Sequence, residues 1–364
     1  MTDLLAWIGL SALVDVIGCR NLSRILTATG DAVAAWEATP ARVAAAGCSA
    51  AVVEKWSTAR ATIDGAALAE AIARADITVI PRSDARFPPA LATIPDPPIT
   101  LFVRGSPDAL IASPLIAVVG TRAASPYGIA ATTHLVAPLT RAGCTIVSGL
   151  AYGIDAVAHR TCLEQHGRTV AVLGTGIDAA SISPAVHRGL ADAIVRSGGT
   201  LVSEYVPGTP GIPLHFPARN RIVAGLTSGT IVVEAPAESG ALITAQFALD
   251  FGREVFAVPG PITTPHHAGG HALLKNGAIP ITDADDCLAV LSDARIAPLP
   301  LIPAIPHDPI TARVLDALGS VPAHPDDLHT TLDLHPATLA SVLTSLELDG
   351  AIRDVGGGRY IRVR

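Results

Sequence analysis

Lysine is almost absent from this chain of 364 residues: Lys55 and Lys275 are the only two. Any grip on an anion must therefore fall to arginine and to backbone N–H groups. Cysteine is sparse too. Cys19, Cys48, Cys144, Cys162 and Cys287 are odd in number, scattered, and contain no CxxC pair, which argues against a disulfide framework and for a reducing, cytoplasmic setting. No apolar run is long enough to read as a membrane span. The opening MTDLLAWIGLSALVDVIGCR has no basic region and is broken by aspartate, so it reads as neither signal peptide nor anchor, and a soluble protein is expected. Walker A, GxSxG and HExxH sequences are missing, which leaves no identifiable catalytic set.

What is present suits a large core: 49% of residues are apolar, and the length suggests two or three domains. The net charge of −7 counts against a nucleic-acid partner until its distribution is read. Between Pro114 and Gly225 stand eight arginines (122, 141, 160, 168, 188, 196, 219, 221) against five acids (155, 164, 178, 192, 204). The centre is locally positive, and local potential is what a phosphate feels.

Residues 1–65 read as a small helical domain of SAM or helix-hairpin-helix type, with Thr39-Pro40 as an N-cap and first turn and Gly47 as a stop. Residues 66–296 read as an extended Rossmann-like domain. It begins with a helix at Ala66–Ala75, a strand at Ile77–Ile80, a proline-dense extended wrap over Pro81–Pro98, and a strand at 101–105. From Leu115 continuous apolar strands (Ile116–Val119, Thr145–Val147, Val170–Leu173, Thr200–Ser203, Thr230–Val233, Val255–Val258) alternate with glycine turns and helices (Gly128–Ala142, Ile154–His166, Val186–Ser197, Ala241–Phe251). That pattern predicts a doubly wound, mostly parallel α/β sheet covered on both faces. Residues 297–309 carry five prolines and read as a stiff linker. Residues 310–364 read as a winged helix, its wing tip at Gly356–Gly358. The last of its helices, with His335 and acids but no arginine or lysine, favours a protein-contact or degenerate role over base reading.

Several turns could carry chemistry. Gly120-Thr121-Arg122 follows a strand and opens a helix, where free N–H groups and the helix dipole favour an anion. Ser148-Gly149-Leu-Ala-Tyr152-Gly153-Ile-Asp155 follows the next strand. Asp155 and His159, four apart, are expected to share a structural hydrogen bond rather than to catalyse. Gly174-Thr-Gly176 lacks the last glycine of a dinucleotide fingerprint. Glu234 closes a strand before Ser239-Gly240, another helix start. His266, His267 and His271 are read as a loop without metal, because no cysteine or carboxylate ligand lies within it. The stretch Pro213–Leu226, PLHFPARNRIVAGL, sets Phe216 beside Arg219, Asn220 and Arg221: forks for phosphate and a ring on which a base could stack.

In this order, GTR, SGLAxGID, AVLGTGID, SEY, FPARNRIVAGL, VVEA…SGALITA and GREVFAVPG resemble the DNA-processing protein A family (DprA, also called Smf), over nearly the whole chain. The resemblance implies a non-enzymatic protein without cofactor or metal that binds single-stranded DNA, displaces single-strand-binding protein and loads the RecA recombinase. The setting it implies is recombination or natural transformation, as a homodimer through the Rossmann-like domain; Leu273 and Leu274 are read either as part of that face or as buried core positions. It places the DNA pocket at Gly120, Thr121, Arg122, Phe216, Arg219, Asn220 and Arg221, floored by Ser148, Gly149 and Gly153; the Ser239-Gly240 helix start, read from its residues, is a further expected anion site. The chain departs from the family's Tyr-Pro-x-x-Asn segment, reading Ser183-Pro184-Ala-Val-His187, although Arg188 keeps a charge there. A competing reading is a nucleotide phosphoribohydrolase of the lysine-decarboxylase-like group with Glu234 or Glu238 as its acid, but its PGGxGTxxE signature is absent.

Overall fold

Nine short strands build one sheet: β1 (Thr78–Pro81), β2 (Thr100–Gly105), β3 (Leu115–Val119), β4 (Thr145–Ser148), β5 (Thr169–Val172), β6 (Thr200–Ser203), β7 (Gly229–Val232), β8 (Glu254–Ala257) and β9 (Ile279–Pro280). The structure is a computed structural model that describes residues 2–111, 114–293, 309–318, 323–332, 334–348, 352–354 and 359–362. The expected linker, up to its last residue Pro309, and the Gly356–Gly358 triplet lie outside these residues.

The strand order is β1-β2-β6-β5-β4-β3-β7-β8-β9. All pairs from β6 to β9 are parallel, while β2 extends the sheet antiparallel to β6 and β1 pairs antiparallel with β2. Every residue of β3, β4, β5, β6 and β7 is buried, as strands covered on both faces require. The chain runs outward from β3 to β6, then returns to start β7 on the other side of β3. This reversal makes the C-terminal edge between β3 and β7 the topological switch point, where the loops diverge and leave a crevice.

Helices Pro126–Arg141 and Ile154–Glu164 cover one face through Leu135, Val136, Ile154 and Ala158, packed on Ile116, Val118 and Ile146. Helices His215–Leu226 and Gly240–Asp250 cover the other through Ile222, Val223, Ala245 and Ala248. Seven helices between Asp3 and Arg74 enclose Trp7, Leu10, Leu22 and Trp56, and Ile99 and Tyr205 of the sheet region join that cluster. The Thr39 hydroxyl caps its helix by accepting from Arg42 N–H. Met1–Asp293 forms one compact unit and Ala294–Arg364 a second. In the second, helices Pro309–Ala317, Pro325–Leu332 and Pro336–Leu348 precede an antiparallel pair, Ile352–Asp354 with Tyr360–Arg362. Val314, Leu328, Leu339, Leu343 and Ile352 form its core. This is the winged-helix order.

Three local expectations are corrected. The proline-dense wrap contains a short helix, Pro89–Ala92, because Pro88 and Pro89 occupy the cap and first helical position, where a missing N–H costs nothing. The histidine segment is a 3-10 turn, Pro265–His267, running into the helix Ala268–Lys275. Asp155 and His159 do not bond each other. The Asp155 carboxylate turns back to accept from Gly149 N–H (3.0 Å) and Ala151 N–H (3.3 Å), while His159 Nδ1 pairs with Thr169 Oγ1 on β5 (2.7 Å).

His159 is fully buried and its Nε2 has no hydrogen-bond partner among the described residues. Burial, then the nearby charges of His187 and Arg219, pull its pKa down to about 3 from 6.5. The unfolded chain therefore takes up a proton near pH 6.5 that the folded one refuses until about pH 3. Stability should fall as pH drops through that window, by up to about 1.4 kcal/mol per pH unit from this site. Urea midpoints measured from pH 7 downward should show the extra slope in the native protein and lose it in His159→Asn.

Candidate functional site

The crevice at the switch point is a cavity of about 530 Å3. Its walls come from the turn after β3 (Gly120, Thr121, Arg122), the turn after β4 (Gly149, Ala151, Asp155), the turn and helix start after β7 (Pro236, Glu238, Ser239, Gly240), and the helix His215–Leu226 (Phe216, Arg219, Asn220). Thr121 N–H donates to the Glu234 carbonyl (2.7 Å) and Ile154 N–H to the Thr121 carbonyl (3.2 Å), so the β3 turn is strapped between its neighbours. Gly153 makes this possible: it holds φ +72°, and a Cβ there would overlap the Thr121 carbonyl.

Arg122 is exposed at the cavity mouth, and its guanidinium lies 5.4 Å from the centre of the Phe216 ring. No carboxylate pairs with it among the described residues. Opposite, the Ser239 hydroxyl accepts from Ala241 N–H (3.3 Å) and the first turn of the Gly240–Asp250 helix opens into the cavity. A flat cation backed by a ring, facing a helix N-terminus, can hold a phosphate and leave a face for a base.

Arg219 serves differently. It is 5% exposed, and its Nη1 donates to the Gly149 carbonyl (2.7 Å) and to the Val172 carbonyl, while Nε donates to Asn220 Oδ1 (3.2 Å). Burial lowers its pKa to about 10, opposed by Asp155, so it stays cationic at neutral pH. Burial likewise raises the Asp155 carboxyl above its ordinary value, against the pull of Arg219. Arg219 is thus a positive floor bolted to the sheet through Nη1 and Nε. The Asn220 amide donates to the Gly240 carbonyl (3.2 Å) and ties this helix to the next.

The other expected residues divide. Gly120, Thr121, Arg122, Gly149, Phe216, Arg219, Asn220, Ser239 and Gly240 all line the one cavity. Ser148 and Gly153 lie outside the lining: Ser148 is buried and donates to the Val118 carbonyl (2.7 Å). Arg188 is exposed further along the edge, one Nη2 on the Ala180 carbonyl (2.9 Å). Arg221 is a correction. It forks onto the Glu204 carboxylate (2.8 and 2.7 Å) and lines a separate cavity with Asp15 and Tyr205. Burial pulls its pKa down, but the Glu204 charge and hydrogen bonds outweigh this and hold it above its ordinary value. The reason is helical geometry: residues two apart face opposite ways, whereas Phe216, Arg219 and Asn220, at spacings of three and four, share a face.

Sequence reasoning missed Asp155, Ala151 and Pro236 as walls; the helical spacing in FPARN was the available signal for orientation. Glu234, the acid of the competing phosphoribohydrolase reading, is sealed beneath the β3 turn and outside the cavity lining. One of its oxygens accepts from Ser125 N–H (2.9 Å) and the other lies 3.5 Å from His266 Nδ1. Glu238 alone of that pair reaches the rim.

Gly149 is a sharp test of the floor, since a Cβ there would overlap the Arg219 guanidinium. Gly149→Ala should displace Arg219 from one or both carbonyls and cost about 1–3 kcal/mol, read as a lower urea midpoint.

Residues 78–292 match the DNA recombination-mediator protein A family, and residues 299–358 match the DprA winged helix domain. Protein Smf of Escherichia coli K12 is 39% identical over 297 residues, covering 79% of this chain and 77% of that protein. DNA processing protein DprA of Bacillus subtilis is 40% identical over 220 residues, covering 60% and 73%. The solved structure of DNA processing protein A from Streptococcus pneumoniae superposes with a TM-score of 0.67 at 36% identity, covering 77% of this chain and 95% of that one. That of Helicobacter pylori, described for its single-stranded DNA binding mode, gives 0.54 at 27% identity over 60% and 96%.

Proposed function

The chain belongs to the DNA recombination-mediator protein A family, DprA/Smf, and on that premise we propose that it binds single-stranded DNA at the switch-point cavity without enzymatic turnover. The observation that carries this is the exposed Arg122, without a carboxylate partner among the described residues, backed by Phe216 and sharing the cavity with the Ser239–Gly240 helix start. Phosphate held by a guanidinium fork and backbone N–H groups gives affinity with little sequence preference and steep salt dependence. A single strand can present its base face to Phe216, whereas a duplex keeps its bases stacked inside.

The finer reading follows the family resemblance. The protein acts in the cytoplasm as a homodimer through the Rossmann-like domain, displaces single-strand-binding protein, and loads RecA for recombination or transformation. Doubling one modest pocket raises avidity through effective concentration. Leu273, partly packed on the core, and Leu274 are the proposed part of that dimer face, and the winged helix is proposed to contact protein.

Salt-titrated anisotropy with oligo-dT and with a blunt duplex tests the DNA reading. Tighter binding of the single strand, weakening steeply with salt, supports it; equal or absent binding overturns it. RecA filament growth on strands coated with single-strand-binding protein tests the loading step, with acceleration expected.

A further inference from the structure

Tyr127 and Tyr152 are the exposed aromatic side chains among the described residues. Tyr127 is tied down, its hydroxyl donating to the Pro259 carbonyl. Tyr152 is 50% exposed and its hydroxyl makes no hydrogen bond within the described residues. An aromatic ring left half in water has to be held there, and the turn after β4 does so. Leu150, a buried leucine, adopts the left-handed conformation at φ +57°, and Gly153 at φ +72°. Between these two reversals the backbone presents Ala151 to the cavity and Tyr152 outward. The Tyr152 ring rests on the His187 ring at 5.2 Å, tilted by 56°. His187 is itself buried, with Nδ1–H donating to the Leu150 carbonyl (2.8 Å). The platform is therefore fixed at both layers before any ligand arrives, which lowers the ordering cost of stacking.

Its neighbours are cationic. On one side lies the Arg122 turn, against whose backbone Gly153 is packed; on the other stands exposed Arg188 beside exposed Val186. The Arg122 and Tyr152 turns follow adjacent strands, β3 and β4, about 4.8 Å apart, and Arg188 immediately follows His187, whose ring touches Tyr152, so Arg122, Tyr152 and Arg188 follow the C-terminal edge of the sheet. That is cation, ring, cation, the alternation a single strand's phosphates and bases fit.

We propose that Tyr152, backed by His187, is a second stacking platform on which the strand anchored at Arg122 lays a neighbouring base before its backbone passes toward Arg188. The proposal rests on the single-stranded DNA reading.

The test is anisotropy with a dinucleotide and with a long oligo-dT, using the full chain and its Tyr152→Ala, Tyr152→Phe and Arg122→Ala variants. Tyr152→Ala should weaken the long strand about fivefold or more, leave the dinucleotide nearly unchanged, and keep the salt slope, since no cation is lost. Tyr152→Phe should bind like the native chain, and a strand carrying 5-iododeoxyuridine should photocrosslink to Tyr152. Urea melts confirm that the half-exposed site leaves folding intact. If Arg122→Ala loses affinity while Tyr152→Ala binds the long strand as tightly as native, the platform is overturned and the pocket reading stands. If the native chain binds neither strand, both are overturned.

Discussion

Arg122→Ala should weaken oligo-dT binding about tenfold or more, because it removes a charge-assisted phosphate contact worth about 1.5–3 kcal/mol. Arg122 is the cavity's exposed cation, and no carboxylate competes for it among the described residues. Neighbouring Arg219 is a poor substitute, since it is buried and its Nη1 is held by the Gly149 and Val172 carbonyls beneath. The log–log salt slope should become shallower by about 0.7, the contribution of one phosphate on a single strand. Arg122→Lys should fall between, keeping charge but losing the planar fork and much of the contact with the Phe216 ring. Stability should hardly change, because an exposed side chain is lost. Measured by salt-titrated anisotropy, an unchanged affinity and slope would remove Arg122 from the interface.

Arg221→Ala should do the reverse: a large loss of stability, with the folded protein still binding DNA. The Arg221–Glu204 pair is buried and doubly hydrogen-bonded, with the Glu204 side chain 3% exposed. Taking away the guanidinium strands a carboxylate in the interior, a mechanism that costs about 3–5 kcal/mol. The double replacement Glu204→Leu with Arg221→Met should recover much of the loss, because it removes both charges and fills the space. Urea unfolding of the single and double variants reads this directly. Oligo-dT affinity measured well below the transition should stay within about threefold of native, because Arg221 lines a different cavity from Arg122 and Phe216. A fall in affinity with unchanged stability would return Arg221 to the DNA site.

The contrast between these arginines shows what a linear reading can and cannot reach. The parallel sheet was legible because β3 to β7 are apolar runs with glycine turns between them, and burial on both faces leaves that imprint. The cavity was legible in outline, since ligands of open α/β sheets gather outside strand ends and GTR, SGLA and the Ser239 turn all follow strands. Side-chain direction was not. In one tripeptide the chain uses Arg219 as floor, Asn220 as a tie to the next helix, and Arg221 as a buried ion-pair partner. Only the helical phase from Phe216 onward separates them. Spacing pairs Asp155 with His159, yet Asp155 caps its own β4 turn and His159 reaches Thr169 on β5. The Tyr152–His187 contact spans 35 positions and depends on where two loops meet, which no local pattern records.

Hydrogen–deuterium exchange of the full chain, with and without oligo-dT, tests the single claim beneath all of this: that the β3–β7 switch point is where the strand is held. Protection should concentrate at residues 120–124, 149–153, 215–221 and 239–244. Protection confined to the N-terminal helices or to the winged-helix unit, with these turns unchanged, would contradict it.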